Sequence, residues 1–179
     1  DESETPAGRL PIRLDPGLAF GTGKHETTRL CLEWLEAQGV EGEHWLDAGC
    51  GSGILAIAAL RLGSGQGDGT EIDPQALTPN PRNAELNDID PARLSLYLAD
   101  DYPADRQVDG LLANILAPTL IELAPALGRH LKPGARFVLS GILTHQADAV
   151  AAAWQAAGCR VDTFREMGDW ALVAGHRPA

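Results

Sequence analysis

The sequence is short of positive charge. Only two of its 179 residues are lysines, Lys24 and Lys132, and 25 acidic side chains outnumber the 14 lysine and arginine side chains. The formal net charge is -11 and the pI is about 4.7. Nucleic-acid-binding surfaces need clustered Lys and Arg to contact phosphates, so direct binding of nucleic acid is not expected. The acidic surface either suits a basic protein partner or keeps the chain solvated, and solvation is the simpler interpretation.

Cysteine pairs are also missing. Cys31, Cys50 and Cys159 are far apart and show no C-x-x-C spacing, so the sequence suggests neither a disulfide framework nor a zinc or other metal site. Cys50 is flanked by glycines, where a nucleophile is conceivable. A small space-filling residue is the favoured interpretation, because no histidine lies beside it in sequence to act as a base.

Long hydrophobic runs are absent as well. No apolar run is long enough to span a membrane, and no signal peptide is visible. A reducing cytoplasm and no membrane contact are therefore expected. The length of 179 residues predicts one domain with a substantial core, and we expect a monomer.

The most informative stretch runs from His44 to Ala56. It predicts a buried strand, then a turn with Gly49, Gly51 and Gly53, and then an apolar helix. Glycines let the backbone adopt positive φ and let a ligand approach it. A turn that opens a helix also presents free N–H groups and the positive end of the helix dipole, so it is well suited to a nucleotide-like ligand.

Strand and helix patterns alternate from residue 44 to residue 157, and two closing runs at 160–166 and 170–175 predict a hairpin. The alternation predicts an α/β fold with a parallel sheet, right-handed crossovers and helices on both faces. Ligands of such sheets bind beyond the carboxyl ends of the strands. That rule gathers the glycine turn with Glu71, Asp100–Asp101 and Asn114 at one edge.

The second strand is predicted at 68–73 and is weakened by glycines. It ends in two acids, Glu71 and Asp73, either of which can bind ribose hydroxyls. Asp73 precedes a proline and fits the cap of the next helix, so Glu71 is the ribose candidate.

Two further local predictions concern proline. Asn80 is the predicted N-cap of a helix that starts at Pro81 and runs through Leu86. Residues 132–134, Lys-Pro-Gly, predict a turn.

A second glycine-rich loop spans residues 15–28. We interpret it as functional rather than as a plain surface loop, since it places Phe20, His25, Thr27 and Thr28 just before a helix. There, hydroxyls and free N–H groups can meet a ligand.

The ligand itself has two interpretations. Gly51-x-Gly53-x-x-Ala56 formally matches a dinucleotide fingerprint, although a lone match of this kind is weak. The other frame, Asp47-x-Gly49-x-Gly51-x-Gly53, resembles the S-adenosylmethionine site of Rossmann-like methyltransferases, and the closing hairpin resembles their last strands.

Linked motifs extend this resemblance to nearly the whole chain, and the sequence is similar to the PrmA family. They are the segments Leu14–Thr28, Asp47–Ala59, Ile72–Ala76, Ala113–Leu116 and Leu139–Leu143. Members of that family methylate amino groups of protein eleven of the large ribosomal subunit. The resemblance implies a Rossmann-like class I methyltransferase fold, with a mostly parallel seven-stranded sheet and an antiparallel C-terminal strand. It also implies S-adenosylmethionine as cofactor and lysine or α-amino groups of a ribosomal protein as substrate.

The resemblance assigns the cofactor to residues in each motif. Gly49 and Gly51 would approach its methionine part, and Glu71 would hold the ribose where the family usually has Asp. The remaining assignments are Thr28 as a cofactor contact, Asp100 or Asp101 near the adenine, and Asn114 bordering both the cofactor and the incoming amine.

For the chemistry, we hypothesise that Asn114 is the catalytic residue and orients the amine, because it is an amide at a strand end beside the glycine turn. His25 as a base is less favoured than His25 as a residue that orders its loop.

The predicted organisation is a linker at residues 1–13 and a methyltransferase domain at 14–179, with nothing corresponding to the family's separate N-terminal substrate domain. Two alternatives remain open. The first is a cofactor-binding fragment without efficient turnover, and the second is an NAD-dependent oxidoreductase.

Overall fold

A computed structural model describes residues 7–15 and 25–179. The prediction for Phe20 and for most of the glycine-rich loop at residues 15–28 lies outside the described residues. Within the described part of the chain, the strands are His44–Ala48 (β1), Gln66–Glu71 (β2), Leu94–Leu98 (β3), Val108–Asn114 (β4), Leu131–Leu143 (β5), Arg160–Met167 (β6) and Trp170–His176 (β7). The helices are Glu26–Glu36 (α1), Ile54–Arg61 (α2), Pro74–Leu77 (α3), Pro79–Leu86 (α4), Ala117–Gly128 (α5) and Ala147–Ala156 (α6).

All the strands form one seven-stranded sheet in the order β3-β2-β1-β4-β5-β7-β6. The pairs from β3 to β5 are parallel, while β7 lies between β5 and β6 and is antiparallel to both. The predicted parallel sheet and closing hairpin are therefore confirmed. The carboxyl ends of β1, β2 and β4 lie side by side, which is where a ligand site is expected.

Alternate residues of the central strands face two separate helical layers. Leu46 and Phe137 pack with α5 and α6, where Phe137 stacks on Trp154 with ring centroids 4.7 Å apart. Trp45 and Leu112 face the other way and pack with α1 and α2. The sheet is thus buried on both faces, as the alternation predicted.

The second strand starts and ends two residues earlier than predicted, at Gln66 and Glu71. Its glycines do not mark weakness. A Cβ at Gly69 would lie 2.9 Å from Cδ2 of Leu96, so the absence of a side chain makes room for the neighbouring strand. Asp73 leaves the strand and caps α3, since its Oδ1 accepts a hydrogen bond from the Gln75 N–H at 2.9 Å. This confirms the predicted cap.

The prediction of Asn80 as an N-cap was wrong. The structure has two helices here, and α4 begins at Pro79 with Thr78 in the cap position. The Asn80 side chain is fully buried and donates to the carbonyl of Gly51 at 2.6 Å. A contact with the glycine turn thus takes the side chain that capping would have used.

The predicted turn at 132–134 falls inside β5 as an irregularity. Pairing of β5 with β4 moves from Leu131 opposite Val108 directly to Arg136 opposite Gly110. The intervening residues bulge out, and Gly134 adopts φ +80°. The local turn chemistry is therefore present, but the strand continues past it.

Residues 7–15 form neither helix nor strand, although Ile12 and Leu14 pack against the layer of α1 and α2. We call residues 13–15 the arm. In the part of the chain that the structure describes, no helix is both long and apolar enough to cross a membrane.

Candidate functional site

A cavity of about 620 Å³ opens at the carboxyl ends of β1, β2 and β4. The structure brings together, in its wall, most of the residues that the sequence predicted. These are Thr28, Gly49, Gly51, Glu71 and Asn114. They come from four separate stretches of the chain, which the parallel sheet and α1 assemble.

Asp100 is not among the residues that line the cavity. It is exposed in a short 3-10 turn, Ala99–Asp101, and within that turn the lining residue is Ala99. Its assignment to the adenine stays a prediction.

The glycine turn passes close to its neighbours. Gly49 has φ +72°, and a Cβ there would lie 2.4 Å from Cγ2 of Ile115. The N–H groups of Gly49 and Cys50 both donate to the carbonyl of Thr70, at 2.9 and 3.0 Å, and so fix the turn to the end of β2. Only glycine allows both this backbone conformation and this approach.

Asp47 lines the cavity below the turn and is almost fully buried. Burial raises the pKa of its carboxyl from 3.8 to about 7. The Ala56 N–H, which donates to Oδ2 at 3.1 Å, acts in the opposite direction, and the nearby charge of Glu71 raises the pKa further. A cationic ligand in the cavity would favour the charged form of Asp47.

Asp47→Asn tests this environment. The folded state holds the Asp47 proton more tightly than the unfolded state, so the carboxyl destabilises the fold as the pH rises from about 3.8 to about 7. The neutral variant escapes that loss. Its advantage in unfolding free energy should grow across this window to about 4 kcal/mol, measured by urea denaturation at pH values from 4 to 8. Parallel curves for the two proteins would contradict the assignment.

Asn114 is the last residue of β4, and Thr28 lies in the first turn of α1. The Asn114 Nδ2 donates to Oγ1 of Thr28 at 3.2 Å, and Thr28 is only 2% exposed. This bond, between residues 86 positions apart, fixes the plane of the amide at the cavity wall. It links the start of α1 to the end of β4.

His25 caps α1 at the edge of the cavity. Its Nδ1 accepts from the Thr27 N–H at 3.3 Å and lies 2.9 Å from the Thr27 hydroxyl. Its ring also meets the edge of Trp170 with centroids 5.0 Å apart. These contacts fit a residue that orders its loop, because Nδ1 is already engaged in the cap.

Cys50 also lines the cavity but is 5% exposed. Burial raises the pKa of its thiol further above its ordinary value, which disfavours the reactive thiolate. The packing interpretation is supported. Among the residues that the structure describes, no group of His, Cys, Asp and Glu side chains is arranged to hold a metal ion.

A model of the family described as ribosomal protein L11 methyltransferase (PrmA) matches residues 1–178. The chain belongs to this family.

Named relatives agree with this membership. The ribosomal protein L11 methyltransferase of Pseudomonas aeruginosa is 54% identical over 168 residues, which are 94% of this chain and 56% of the relative. That of Azotobacter vinelandii is 52% identical over 170 residues, 95% of this chain and 58% of the relative. The chain therefore spans a little over half the length of these curated relatives.

Solved structures give the same fold. A ribosomal protein L11 methylase from Lactobacillus delbrueckii subsp. bulgaricus superposes with a TM-score of 0.84 at 37% identity, over 94% of this chain and 86% of that one. An RNA methyltransferase from Salinibacter ruber in complex with S-adenosyl-L-homocysteine superposes with a TM-score of 0.66 at 21% identity, over 84% and 91%. The second likeness concerns the fold alone, which is the predicted class I methyltransferase fold.

Sequence reasoning missed some of the residues that line the cavity of this family member. Gly141 lies near the carboxyl end of β5, so the rule that found Asn114 would have found it too. Trp170 carries no such local signal. It reaches the cavity only because β7 inserts beside β5, close to the start of α1.

Proposed function

We propose that the chain carries the catalytic site of an S-adenosylmethionine-dependent protein N-methyltransferase that acts on amino groups of ribosomal protein L11. The observation that carries this proposal is the convergence in one cavity of the glycine turn, Glu71, and the bonded pair of Asn114 and Thr28.

The residues present fit S-adenosylmethionine. The cofactor has a positive sulfonium and a positive ammonium group, and Asp47 and Glu71 supply negative charge within the cavity wall. At Gly49 the backbone offers a cradle that a side chain would fill. Gly49 and Gly51 would therefore hold the methionine part, and Glu71, at the end of β2, the ribose.

When bound, S-adenosylmethionine supplies a methyl group on a good leaving group, so that an N–C bond forms as the C–S bond breaks. The protein's task is then to align the amine, which is positional catalysis. The amine must be neutral, although lysine has a reference pKa of about 10.4. The apolar side chains of Ile115, Leu116 and Trp170 at the cavity wall favour the neutral form.

Asn114 is the group proposed to orient that amine. Its Nδ2 donates to Thr28, and this bond fixes the orientation of the amide group. The amide oxygen is then held in position to accept a hydrogen bond from the amine N–H. The substrate ammonium gives up one proton to solvent before transfer, and after transfer the methylated nitrogen keeps its other two protons as a methylammonium ion.

The experiment is transfer of a labelled methyl group to isolated ribosomal protein L11. We expect the 179-residue chain to transfer methyl groups slowly and a version as long as the curated relatives to transfer them faster, since the chain spans only 56% of such a relative. No transfer by either protein would contradict the proposal. Equal rates would contradict the need for the additional length.

A second candidate is a cofactor-binding fragment without efficient turnover, which the partial coverage of the relatives favours. It predicts calorimetric binding of S-adenosylmethionine with no methyl transfer by the chain.

In either case we propose a monomer that works in the cytoplasm, where a ribosomal protein substrate is made. We also propose that it makes no direct nucleic-acid contact, because its net charge is -11.

A further inference from the structure

Helix α4 and the residue that caps its C-terminus, Asn87, carry a row of buried asparagines that none of the site assignments uses. Asn80, Asn83 and Asn87 are 0%, 0% and 3% exposed, while Arg82 and Glu85 on the same helix are exposed and pair with each other at 3.0 Å. A buried amide destabilises the fold unless its hydrogen bonds are made. The partners of this asparagine row therefore indicate what it does.

Two of the asparagines hold the glycine turn. Asn80 Nδ2 donates to the carbonyl of Gly51 at 2.6 Å, and Asn83 Nδ2 donates to the carbonyl of Ser52 at 2.8 Å. In a trans peptide the N–H points away from the C=O, so fixing the Gly51 carbonyl on α4 turns the Ser52 N–H away from that helix. The asparagine row thus sets the orientation of the turn's peptides.

Two of them also hold the arm at residues 13–15. The Asp15 N–H donates to Oδ1 of Asn83 at 2.8 Å. The Arg13 N–H donates to Oδ1 of Asn87 at 2.8 Å, and Asn87 Nδ2 donates to the Arg13 carbonyl at 2.7 Å. Because the arm forms neither helix nor strand, these side-chain bonds stand in for a sheet partner.

Asn83 belongs to both sets, since one amide group bonds the glycine turn with its nitrogen and the arm with its oxygen. We propose that Asn83 is a positioning residue that couples the arm to the glycine turn, with Asn80 holding the turn and Asn87 holding the arm. The inference rests on the proposed function only in taking the turn's ligand to be S-adenosylmethionine or its product.

Coupling of this kind has a measurable consequence. A ligand that orders the turn also fixes the Ser52 carbonyl, and with it the Asn83 amide and the Asp15 N–H. Thermodynamic linkage makes this effect reciprocal. Loss of the Asn83 hydrogen bonds should therefore weaken binding of the ligand. The arm should therefore become more ordered when the cavity fills, although it does not line the cavity.

The test is amide hydrogen exchange of Arg13 and Asp15, with and without S-adenosylhomocysteine, together with calorimetric titration of the same ligand. In the wild-type chain we expect ligand to slow exchange at these amides by about 10-fold. In Asn83→Leu, which keeps the bulk and loses both bonds, that response should vanish and the ligand Kd should rise about 10-fold. Glu85→Ala, on the exposed side of α4, should behave as wild type.

A milder pair of variants separates the two halves. Asn83→Asp keeps the acceptor for the Asp15 N–H and loses the donor to the Ser52 carbonyl. It should therefore weaken binding of the ligand, while the arm of the ligand-free protein stays protected from amide hydrogen exchange. Asn87→Ala should speed exchange at Arg13 and leave the Kd within about twofold of wild type. These two variants decide the matter if Asn83→Leu does not fold.

Retention of the ligand response in Asn83→Leu, or its absence in a wild-type chain that binds ligand, would overturn the coupling. A wild-type chain that binds no S-adenosylhomocysteine would instead refute the proposed function. Ligand-free exchange still decides the coupling in that case. Asn83→Leu should then speed exchange at both the arm and residues 49–53, whereas Asn87→Ala should speed it at the arm alone, and any other pattern overturns the inference.

Discussion

On the proposed function, replacing Asn114 with alanine is expected to slow methyl transfer to ribosomal protein L11 about 100-fold, because loss of a positioning group misaligns the amine. The affinity for S-adenosylmethionine should change much less, since the glycine turn and Glu71 remain in place. The rate is measured in a single turnover with the chain in excess over substrate, and the affinity by calorimetry.

Gln155→Ala is the matched control, because it removes an exposed amide from α6, and it should leave both quantities unchanged. Thr28→Val removes the hydroxyl that Asn114 binds at 3.2 Å and should slow transfer about 10-fold. Added to Asn114→Ala it should cost little more, because the two side chains act as a unit. Unchanged turnover in Asn114→Ala would exclude the residue from catalysis.

Replacing Gly49 with alanine is expected to damage both the fold and the cofactor site. The new Cβ would lie 2.4 Å from Cγ2 of Ile115, and the backbone has φ +72°. Strain and overpacking together should lower the unfolding free energy by about 2–4 kcal/mol. The displaced turn should also weaken S-adenosylmethionine binding at least about 10-fold, as measured by calorimetry on the folded protein.

Gly134→Ala separates the two causes. Gly134 has φ +80°, close to that of Gly49, but a Cβ there would meet nothing within 4 Å. It should lower the unfolding free energy by about 1 kcal/mol and leave cofactor binding unchanged. If Gly49→Ala behaved in the same way as Gly134→Ala, the close approach of Ile115 to the turn would not matter.

The sequence predicted the elements whose signals are local. Gly49, Gly51 and Gly53 mark the turn between β1 and α2, and the rule for parallel sheets placed Asn114 beside it. The cap at Asp73 was also readable, because a carboxylate before a proline has a characteristic role at a helix start.

The rest depends on contacts between distant segments. Gly69 is tolerated in β2 because the side chain of Leu96 in β3 occupies the space that a side chain at residue 69 would need. Strand propensity cannot predict such a contact with a neighbouring strand. The sequence around Asn80 is typical of a helix N-cap, but in the structure its side chain donates to the carbonyl of Gly51 in the glycine turn. Trp170 reaches the cavity because β7 lies between β5 and β6 in the sheet. No sequence pattern near residue 170 predicts that position.

The measurement that tests this cavity as a methyl-donor site most directly is calorimetric titration of the chain with S-adenosylmethionine, with NAD as the competing ligand. We expect one site for S-adenosylmethionine, with weaker binding in Gly49→Ala and unchanged binding in Gly134→Ala, and no heat of binding with NAD. Binding of NAD in place of S-adenosylmethionine, or binding that Gly49→Ala leaves unchanged, would contradict the assignment of this cavity as a methyl-donor site.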